Sequence, residues 1–184
     1  MNELTKSEFF AKHGYAYFEN ILTEDQCIDF AAKMLSFKED NRLSYEGKTD
    51  AQPNAFYANS YGIGGVAEME AALLEMQPKI EEELQVKMIP ANSYARIYYN
   101  GGTLNTHVDR PGLDYTMSIT LFSNLDRDWP LWCEDLQGNV VSLEIPRGWG
   151  GMMLGTTMKH WREPLVCRDD QYVIQLFVHW SFAK

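Results

Sequence analysis

Residues 94–102 read YARIYYNGG, and the hydrophobic period of the chain changes at this stretch. Before Pro90, apolar residues recur at the spacing of helices. After it, apolar and polar residues alternate, so that Tyr94, Arg96 and Tyr98 share one face of a predicted strand. We therefore expect helical support in the first half of the chain and a β-rich core in the second.

Further strands are predicted along the second half, separated by turn residues. Asn100-Gly101-Gly102 predicts a turn directly after the first strand. The other strand candidates lie at residues 115–122, 131–134, 140–145, 151–154 and 172–180. Short strands divided by turns indicate a sandwich or a barrel.

The first half begins with clear helix signals. A short helix is predicted over residues 5–12, ended by Gly14 and followed by a strand over 15–18. Thr23 and Gln26 form a capping box that begins a second helix.

Residues 37–65 form a long, loop-like segment, with a short strand predicted near 55–58. Such a segment is either a lid or binding loop, or a solvated connection. Two helical pieces follow at 66–76 and 78–85, with Pro78 in the first turn of the second piece.

The composition is that of one globular domain. The chain has 184 residues, of which 45% are hydrophobic and 23% charged. We expect a single domain over residues 1–184, with helical support and the loop segment in 1–90 and the β core in 91–184. No apolar run reaches the roughly 20 residues of a membrane span. The start lacks the features of a secretory signal, so we expect a cytoplasmic protein.

Charge is divided unevenly along the chain. The first 90 residues hold 8 basic and 16 acidic side chains, whereas the second half holds 8 and 10, within a net charge of −10. This acidity argues against nonspecific binding to nucleic acid. Most of the arginines and histidines lie in the second half, where we expect the chemistry.

His107 and Asp109 are separated by one residue, so in an extended strand their side chains project from the same face. With His160 they would offer two nitrogens and one oxygen to a metal ion and leave three coordination positions open. Non-haem Fe(II) oxygenases use this arrangement. A His-x-Asp pair is common by chance, so the surrounding sequence must support the assignment.

Four segments around these residues carry a family resemblance. They are Tyr98-x-x-Gly101, Leu104-x-x-His107-Val108-Asp109-Arg110, the strand 117–122 and His160-Trp161-Arg162-Glu163-Pro164. Together they resemble the iron(II)/2-oxoglutarate-dependent dioxygenase superfamily, and within it the prolyl-hydroxylase-like branch. The resemblance extends from about residue 94 to residue 180.

The resemblance implies an α+β fold with a mainly β core, a double-stranded β-helix or jelly-roll supported by N-terminal helices. It implies that His107, Asp109 and His160 hold Fe(II), with 2-oxoglutarate as cosubstrate and ascorbate as a candidate reductant. The implied reaction hydroxylates an unactivated C–H bond and yields succinate and CO₂. Related halogenases carry a small residue in place of the carboxylate, so Asp109 favours a hydroxylase.

One element of the family pattern is absent. The family places a Lys or Arg near the start of the last strand to bind the far carboxylate of 2-oxoglutarate, and this sequence has Gln171 there. A neutral amide cannot form the same charge-assisted pair. Arg162, two residues after the distal histidine, is our first candidate for the missing cation, followed by Arg168 and Arg96. Tyr98 matches a family tyrosine whose hydroxyl helps to bind 2-oxoglutarate.

Several alternatives stay open at this point. The neutral Gln171 also fits a cupin-like jelly-roll protein that binds a metal or ligand without oxygenase turnover. The substrate is a peptidyl side chain, an amino acid or another small metabolite, and the fold does not choose between them. Arg110 either contacts an acidic substrate group or pairs with Asp114. His179 either lines the pocket mouth or forms a structural hydrogen bond. The oligomeric state is left open.

Overall fold

A curled antiparallel sheet forms the core of the computed structural model, which describes residues 4–47 and 57–183. The strands are β1 (Tyr15–Phe18), β2 (Ser44–Glu46), β3 (Tyr57–Gly64), β4 (Met88–His107), β5 (Tyr115–Ser123), β6 (Leu131–Glu134), β7 (Val140–Leu143), β8 (Gly150–Leu154), β9 (His160–Arg162) and β10 (Val173–Phe182). The helices are α1 (Lys6–His13), α2 (Glu24–Glu39) and α3 (Ala67–Leu84). The predicted fold class, a mainly β core with N-terminal supporting helices, is confirmed.

The sheet folds into two layers that share β4. The larger layer has the strand order β2-β3-β4-β10-β5-β8-β1, and the smaller layer has the order β4-β9-β6-β7. The first part of β4 pairs with β10, whereas Leu104 and His107 near its end pair with β9. The change of partner along one strand is what curls the sheet.

The turn predicted at residues 100–102 is instead a bend within β4, so that prediction was wrong. Gly101 adopts a left-handed φ of 80°. Its N–H donates to the Leu165 carbonyl at 2.7 Å, and the Leu165 N–H donates to the Gly102 carbonyl at 2.7 Å. These bonds hold the chain extended through the glycine pair, and the strand passes from one layer to the other.

The helix starts agree with the capping signals. The Thr23 side chain accepts from the Gln26 backbone N–H at 3.2 Å, while the Gln26 side chain accepts from the Thr23 N–H at 2.9 Å. Gly14 ends α1 with a φ of 81°, and a Cβ atom there would collide with Met158 and Leu136. Glycine is therefore required both by the backbone and by the packing of the Met158 and Leu136 side chains against the helix end.

The two helical pieces predicted around Pro78 are one continuous helix, α3. Proline removes the hydrogen bond to the carbonyl of the residue four positions earlier, and that residue is Leu74, whose side chain is 57% exposed. The unbonded carbonyl lies on the side of the helix that faces water. The helix therefore continues through Pro78.

The prediction of a loop over residues 37–65 was wrong for those residues of the segment that the structure describes. The α2 helix continues to Glu39, and β2 and β3 form an antiparallel pair that extends the larger layer beside β4. The strand predicted near 55–58 falls partly outside the described residues, although Ala58 belongs to β3. The first half of the chain thus supplies strands at both edges of the larger layer in addition to helices.

The main hydrophobic core lies between the helices and the outer face of the larger layer. Alternate strand residues such as Ile97, Ile119 and Leu176 pack there with Met34 and Leu73. The residues between them in sequence face the space between the two layers, as the two-residue period predicts. None of the described helices combines the length and the apolar character that crossing a membrane would require.

Candidate metal and cosubstrate site

His107, Asp109 and His160 meet at one point between the layers. His107 and His160 are opposite each other in the pairing of β4 with β9, and their ring centres lie 4.3 Å apart. The Nε2 atoms of the two histidines lie 3.6 Å and 3.7 Å from Asp109 Oδ1. The ligand atoms of all three side chains fall within 4.8 Å of one another, which suits a single bound ion.

Backbone carbonyls orient both imidazole rings. His107 Nδ1 lies 2.8 Å from the Asn105 carbonyl, and His160 Nδ1 lies 2.9 Å from the Met158 carbonyl. A carbonyl can only accept, so each Nδ1 carries the proton and each Nε2 keeps its lone pair. Burial lowers the pKa of His160, against the opposing charge of Asp109, and so favours the neutral ring that coordinates a metal.

Asp109 is held as a carboxylate. Burial alone would raise the pKa of Asp109, but the neighbouring His107 and His160 side chains and the hydrogen bond from the Thr116 hydroxyl together hold it at about 2. The Thr116 hydroxyl donates to Asp109 Oδ2 and leaves Oδ1 facing the histidines. A Cβ atom at Gly155 would collide with Asp109 Oδ2, with the Thr116 hydroxyl and with the Leu113 carbonyl, so the site requires glycine there.

These side chains open into a cavity of about 240 Å³. Besides the three candidate ligands, it is lined by Glu46, Asn92, Tyr94, Arg96, Leu104, Arg110, Leu113, Thr116, Ser118, Leu131, Met153, Phe177 and His179. The larger layer contributes most of the polar wall. Its inward side chains align across β4, β10 and β5 as Asn92-His179-Thr116, Tyr94-Phe177-Ser118 and Arg96-Gln175-Thr120.

The two ends of this interior space differ in exposure. The open end is the part where Arg110 is exposed and Asn92 is half-buried, beside the buried His179 and Thr116. It lies beside the triad, because Thr116 contacts Asp109. The closed end is the buried region around Tyr98, Thr120, Arg162 and Gln175, which adjoins the cavity wall at Arg96 and Leu104 but does not itself line the cavity.

Arg162 lies at the closed end and is a buried cation. Only 2% of the residue is exposed, and it is aligned with Leu104 of the cavity wall. Its Nη1 donates to the Trp129 carbonyl at 2.5 Å and its Nη2 to Gln175 Oε1 at 3.3 Å. Among the described residues, no carboxylate is within ion-pair distance, and Nε has no hydrogen-bond partner. Burial lowers the pKa of Arg162 to about 10, which leaves it charged at neutral pH.

Arg96, by contrast, is a buried arginine with an acidic partner. Its Nε donates to Glu46 of β2, and its Nη1 donates to the Tyr98 hydroxyl at 3.0 Å. The Tyr94 hydroxyl donates to the other oxygen of Glu46. Tyr98 itself is fully buried and packs edge-on against Trp129, so it lies between the two arginines.

Of the predicted cosubstrate residues, only Arg96 lines the cavity; Tyr98 and Arg162 are buried beside its wall, whereas Arg168 and Gln171 lie in a turn away from it. Arg168 is exposed and pairs with Asp126 and Asp170 on the surface. Gln171 is buried, but its side chain accepts from the Arg168 N–H at 3.0 Å and donates to the Asn124 carbonyl at 2.8 Å. Both belong to the turn before β10, and the structure places neither with the triad.

Other residues of the cavity wall had weaker sequence signals. Thr116, Ser118 and Thr120 alternate with apolar residues along β5, and this period could have identified them as inward-facing. His179 lines the cavity at the open end and also contacts the Asn92 carbonyl at 3.3 Å, so both predictions for it hold. Glu46 lies in the segment predicted as a loop, and no feature of the sequence identified it as a residue of the cavity wall.

Comparison with known proteins relates this architecture to a group of oxygenases. No protein-family model matches the chain, and no curated protein matches it in sequence. Among solved structures, a Pseudomonas putida prolyl 4-hydroxylase matches with a TM-score of 0.76 and 14% identity over 97% of this chain and 98% of that one. A Trichoplax adhaerens prolyl hydroxylase, solved with a peptide fragment of hypoxia inducible factor, matches with a TM-score of 0.71 and 15% identity over 95% and 87%.

A third match catalyses a different reaction. It is a non-haem α-ketoglutarate-dependent carbocyclase from nogalamycin biosynthesis, with a TM-score of 0.73 and 12% identity over 96% of this chain and 83% of that one. The shared architecture therefore does not select one reaction. The chain has the double-stranded β-helix fold of the 2-oxoglutarate-Fe(II) oxygenases, several prolyl hydroxylases among them, with His107, Asp109 and His160 brought together as a facial triad.

Proposed function

We propose that the protein is an Fe(II)- and 2-oxoglutarate-dependent dioxygenase that hydroxylates an unactivated C–H bond of a peptidyl side chain, an amino acid or a small metabolite. The facial triad in the cavity is the observation that carries this proposal. Two imidazole nitrogens and one carboxylate oxygen leave coordination positions for a chelating cosubstrate and for oxygen.

The three candidate metal ligands are already held in position by hydrogen bonds. The Asn105 and Met158 carbonyls fix the two rings, and Thr116 fixes the carboxylate. Such supporting hydrogen bonds hold ligands in the geometry that a metal requires. The three candidate ligands line the cavity, where a substrate could approach a bound metal.

The closed end fits the far carboxylate of 2-oxoglutarate. Arg162 is a buried cation with neutral neighbours, and an uncompensated buried charge is costly unless an anion neutralises it. Gln175 bonds both Arg162 and Thr120, at 3.3 Å and 2.9 Å, and so holds the guanidinium between the layers. We propose that Arg162 replaces the basic residue that the family places at position 171, with the Tyr98 hydroxyl beside it.

When bound, iron and 2-oxoglutarate supply the oxidising chemistry, in which one atom of O₂ enters the substrate as a hydroxyl and the other enters succinate as CO₂ is lost. The side chains described above do the rest. The triad keeps three positions available, Arg162 sets the direction of the cosubstrate, and Leu104, Leu131 and Met153 form an apolar wall that limits access of water.

The alternative of a cupin-like binding protein rested on the neutral Gln171. Since Arg162 can supply the missing charge, position 171 no longer favours that alternative. The two functions still predict different behaviour in solution, because only an oxygenase consumes 2-oxoglutarate.

The test uses anaerobically purified protein loaded with Fe(II). Addition of 2-oxoglutarate should produce the visible charge-transfer band of the chelate, and admission of oxygen with ascorbate should produce succinate slowly even without substrate. Asp109→Ala should abolish both signals. Wild-type protein that binds iron but gives neither band nor succinate would be a binding protein.

A further inference from the structure

The open end of the cavity contains a cation that neither the metal nor the cosubstrate uses. Arg110 follows Asp109 directly and lines the cavity. Among the described residues no carboxylate pairs with it. Asp114, the partner that the sequence offered, accepts instead from the Thr156 hydroxyl at 3.2 Å and the Phe182 N–H at 2.9 Å. The ion pair with Asp114 is therefore absent, and Arg110 presents its charge to a ligand at the mouth.

The same end contains an acceptor without a donor. The side-chain oxygen of Asn92 is buried and has no hydrogen-bond partner among the described residues, although Asn92 lines the cavity. A buried polar atom left unpaired costs about 1–3 kcal/mol. This oxygen therefore favours a ligand that brings an N–H or O–H group to it.

Glu46 adds acceptor capacity to this wall, although its charge is paired with that of Arg96. Its carboxylate accepts from Tyr94 and Arg96, which leaves part of its capacity of about four hydrogen bonds unused. Tyr94 lies between Asn92 and Arg96 on the inward face of β4, so Glu46 and the Asn92 oxygen belong to the same side of the cavity. Acceptors at two places on one wall favour a group with several donors, such as an ammonium group.

The size of the cavity limits the rest of the ligand. Its volume of about 240 Å³ is below the roughly 300–1,000 Å³ of pockets for drug-sized molecules. Leu113 and Phe177 add apolar surface between the polar groups and the triad. A small molecule with two charged groups and a short, largely apolar side chain fits these features.

We propose that the substrate is a free α-amino acid bound as a zwitterion. Arg110 receives its carboxylate, the Asn92 oxygen and Glu46 receive its ammonium group, and its side chain points toward the triad. This inference rests on the proposed function and narrows three substrate classes to one. A residue inside a peptide carries neither of the two charges, so the same groups would bind it poorly.

The experiment compares the twenty free L-amino acids with their Nα-acetyl and C-terminal amide derivatives. Binding is measured on the Fe(II)- and 2-oxoglutarate-loaded protein without oxygen, by saturation-transfer NMR and by the shift of the charge-transfer band. Succinate release is then measured with oxygen. At least one free amino acid should bind and raise succinate release about tenfold, and either blocking group should weaken its binding about tenfold or more.

Variants test separately the contact of Arg110 with the substrate carboxylate and the contact of Asn92 with its ammonium group. Arg110→Gln should weaken binding of the free amino acid about tenfold and leave that of its amide unchanged. Asn92→Leu should weaken binding similarly, whereas Asn92→Asp, which keeps an acceptor and adds charge, should retain it. Arg127→Gln, an exposed arginine outside the cavity, should bind as wild type does.

Three outcomes would overturn this inference: blocked derivatives bind as tightly as free amino acids, only peptides bind, or no amino acid in the panel binds. In each of these the charge-transfer band and slow succinate formation remain. Loss of the band and of succinate under all conditions would instead contradict the proposed oxygenase function.

Discussion

The closed end and the open end each hold an arginine that pairs with no carboxylate among the described residues, but the two side chains are held differently. Arg162 is buried and fixed by the Trp129 carbonyl and Gln175. Arg110 is exposed and lies in the segment between β4 and β5. A buried, preorganised cation suits one constant ligand, whereas an exposed one suits a ligand that enters and leaves at each turnover.

Arg96 lies between these two ends and is an arginine whose charge is neutralised by a carboxylate. Its charge is paired with Glu46, so it has no need of an anionic ligand. The presence or absence of a carboxylate partner, more than burial, therefore distinguishes the arginines of this interior. This difference is the reason why we propose Arg162 as the residue that binds the cosubstrate.

The largest expected effect is the loss of Fe(II) binding when a histidine of the triad is removed. His107→Ala and His160→Ala should each abolish Fe(II) binding, because two remaining ligands cannot form the facial set. Wild-type protein should hold about one iron per chain by elemental analysis after anaerobic loading. His13→Ala and His179→Ala remove histidines outside the triad and should retain iron. Unchanged iron content in both triad variants would show that the ligands are assigned wrongly.

The next effect should separate Arg162 from the other arginines. Arg162→Met keeps an apolar side chain in the space but removes the cation, and loss of a buried charge pair costs about 3–5 kcal/mol. The Kd for 2-oxoglutarate under anaerobic conditions should therefore rise by about a few hundredfold or more. Arg96→Ala should have a smaller effect, and Arg168→Ala, on the surface, almost none.

Thermal unfolding provides a second measurement of the same comparison. A ligand at a hundred times its Kd stabilises the folded state by about 2.7 kcal/mol, so 2-oxoglutarate should raise the Tm of the wild-type protein but hardly that of Arg162→Met. A larger loss in Arg168→Ala or Arg96→Ala would transfer the role to that residue. Equal binding in all variants would mean that the pocket takes another cosubstrate.

A smaller loss of Fe(II) affinity is expected when a methyl group at position 155 is placed against the hydrogen bond from Thr116 to Asp109. Gly155→Ala places a methyl group against Asp109 Oδ2, the Thr116 hydroxyl and the Leu113 carbonyl. Changes to groups that orient metal ligands typically weaken metal binding about 10–100-fold, and we expect this range for Fe(II) in a competition assay. Thr116→Val should act similarly, and Thr116→Ser should restore affinity. Wild-type affinity in Gly155→Ala would show that Asp109 does not depend on this contact.

The smallest effect lies away from both ends, at the contact between α1 and the β6–β7 turn. Burial would raise the pKa of Asp135, but bonds from His13, Asn139 and Gln137 hold it at about 2, below its ordinary 3.8. The stability that this carboxylate provides is complete above pH 3.8 and is lost as the pH falls toward 2. Asp135→Asn should therefore be less stable at pH 7, and the difference from wild type should shrink over that acid range.

Denaturant unfolding at several pH values measures this difference, with the iron affinity at neutral pH as the control. The variant should bind Fe(II) as wild type does, because Asp135 does not line the cavity. A constant difference in stability between pH 4 and 2 would contradict the assignment of the lowered pKa.

Much of the architecture was predictable because its causes are local. The capping box at Thr23 and the two-residue period of β4, β5 and β10 depend on neighbours in sequence, and both were correctly predicted. The His-x-Asp pair is local as well, since the two residues are only two positions apart, although β4 ends at His107 and Asp109 follows the strand. The resemblance then supplied His160, which lies opposite His107 in the folded chain.

The errors arose where distant segments decide the local structure. The glycine pair after Asn100 has the composition of a turn, yet hydrogen bonds to Leu165 keep β4 extended through it. The segment that contains Glu46 lacks a clear period, and pairing with β4 makes it a hairpin. In both cases the stabilising contacts come from segments that are distant in sequence.

Residue type and side-chain alternation were enough to predict the mainly β class, the inward faces of the central strands and the three metal-ligand candidates. Which charges are compensated could not be predicted in this way. Gln171 and Arg168 are bound within their own turn, Arg96 pairs with Glu46, and Arg162 has no carboxylate partner among the described residues. Compensation depends on which side chains meet across the two layers, and such meetings are set by strand pairing between segments far apart in the chain.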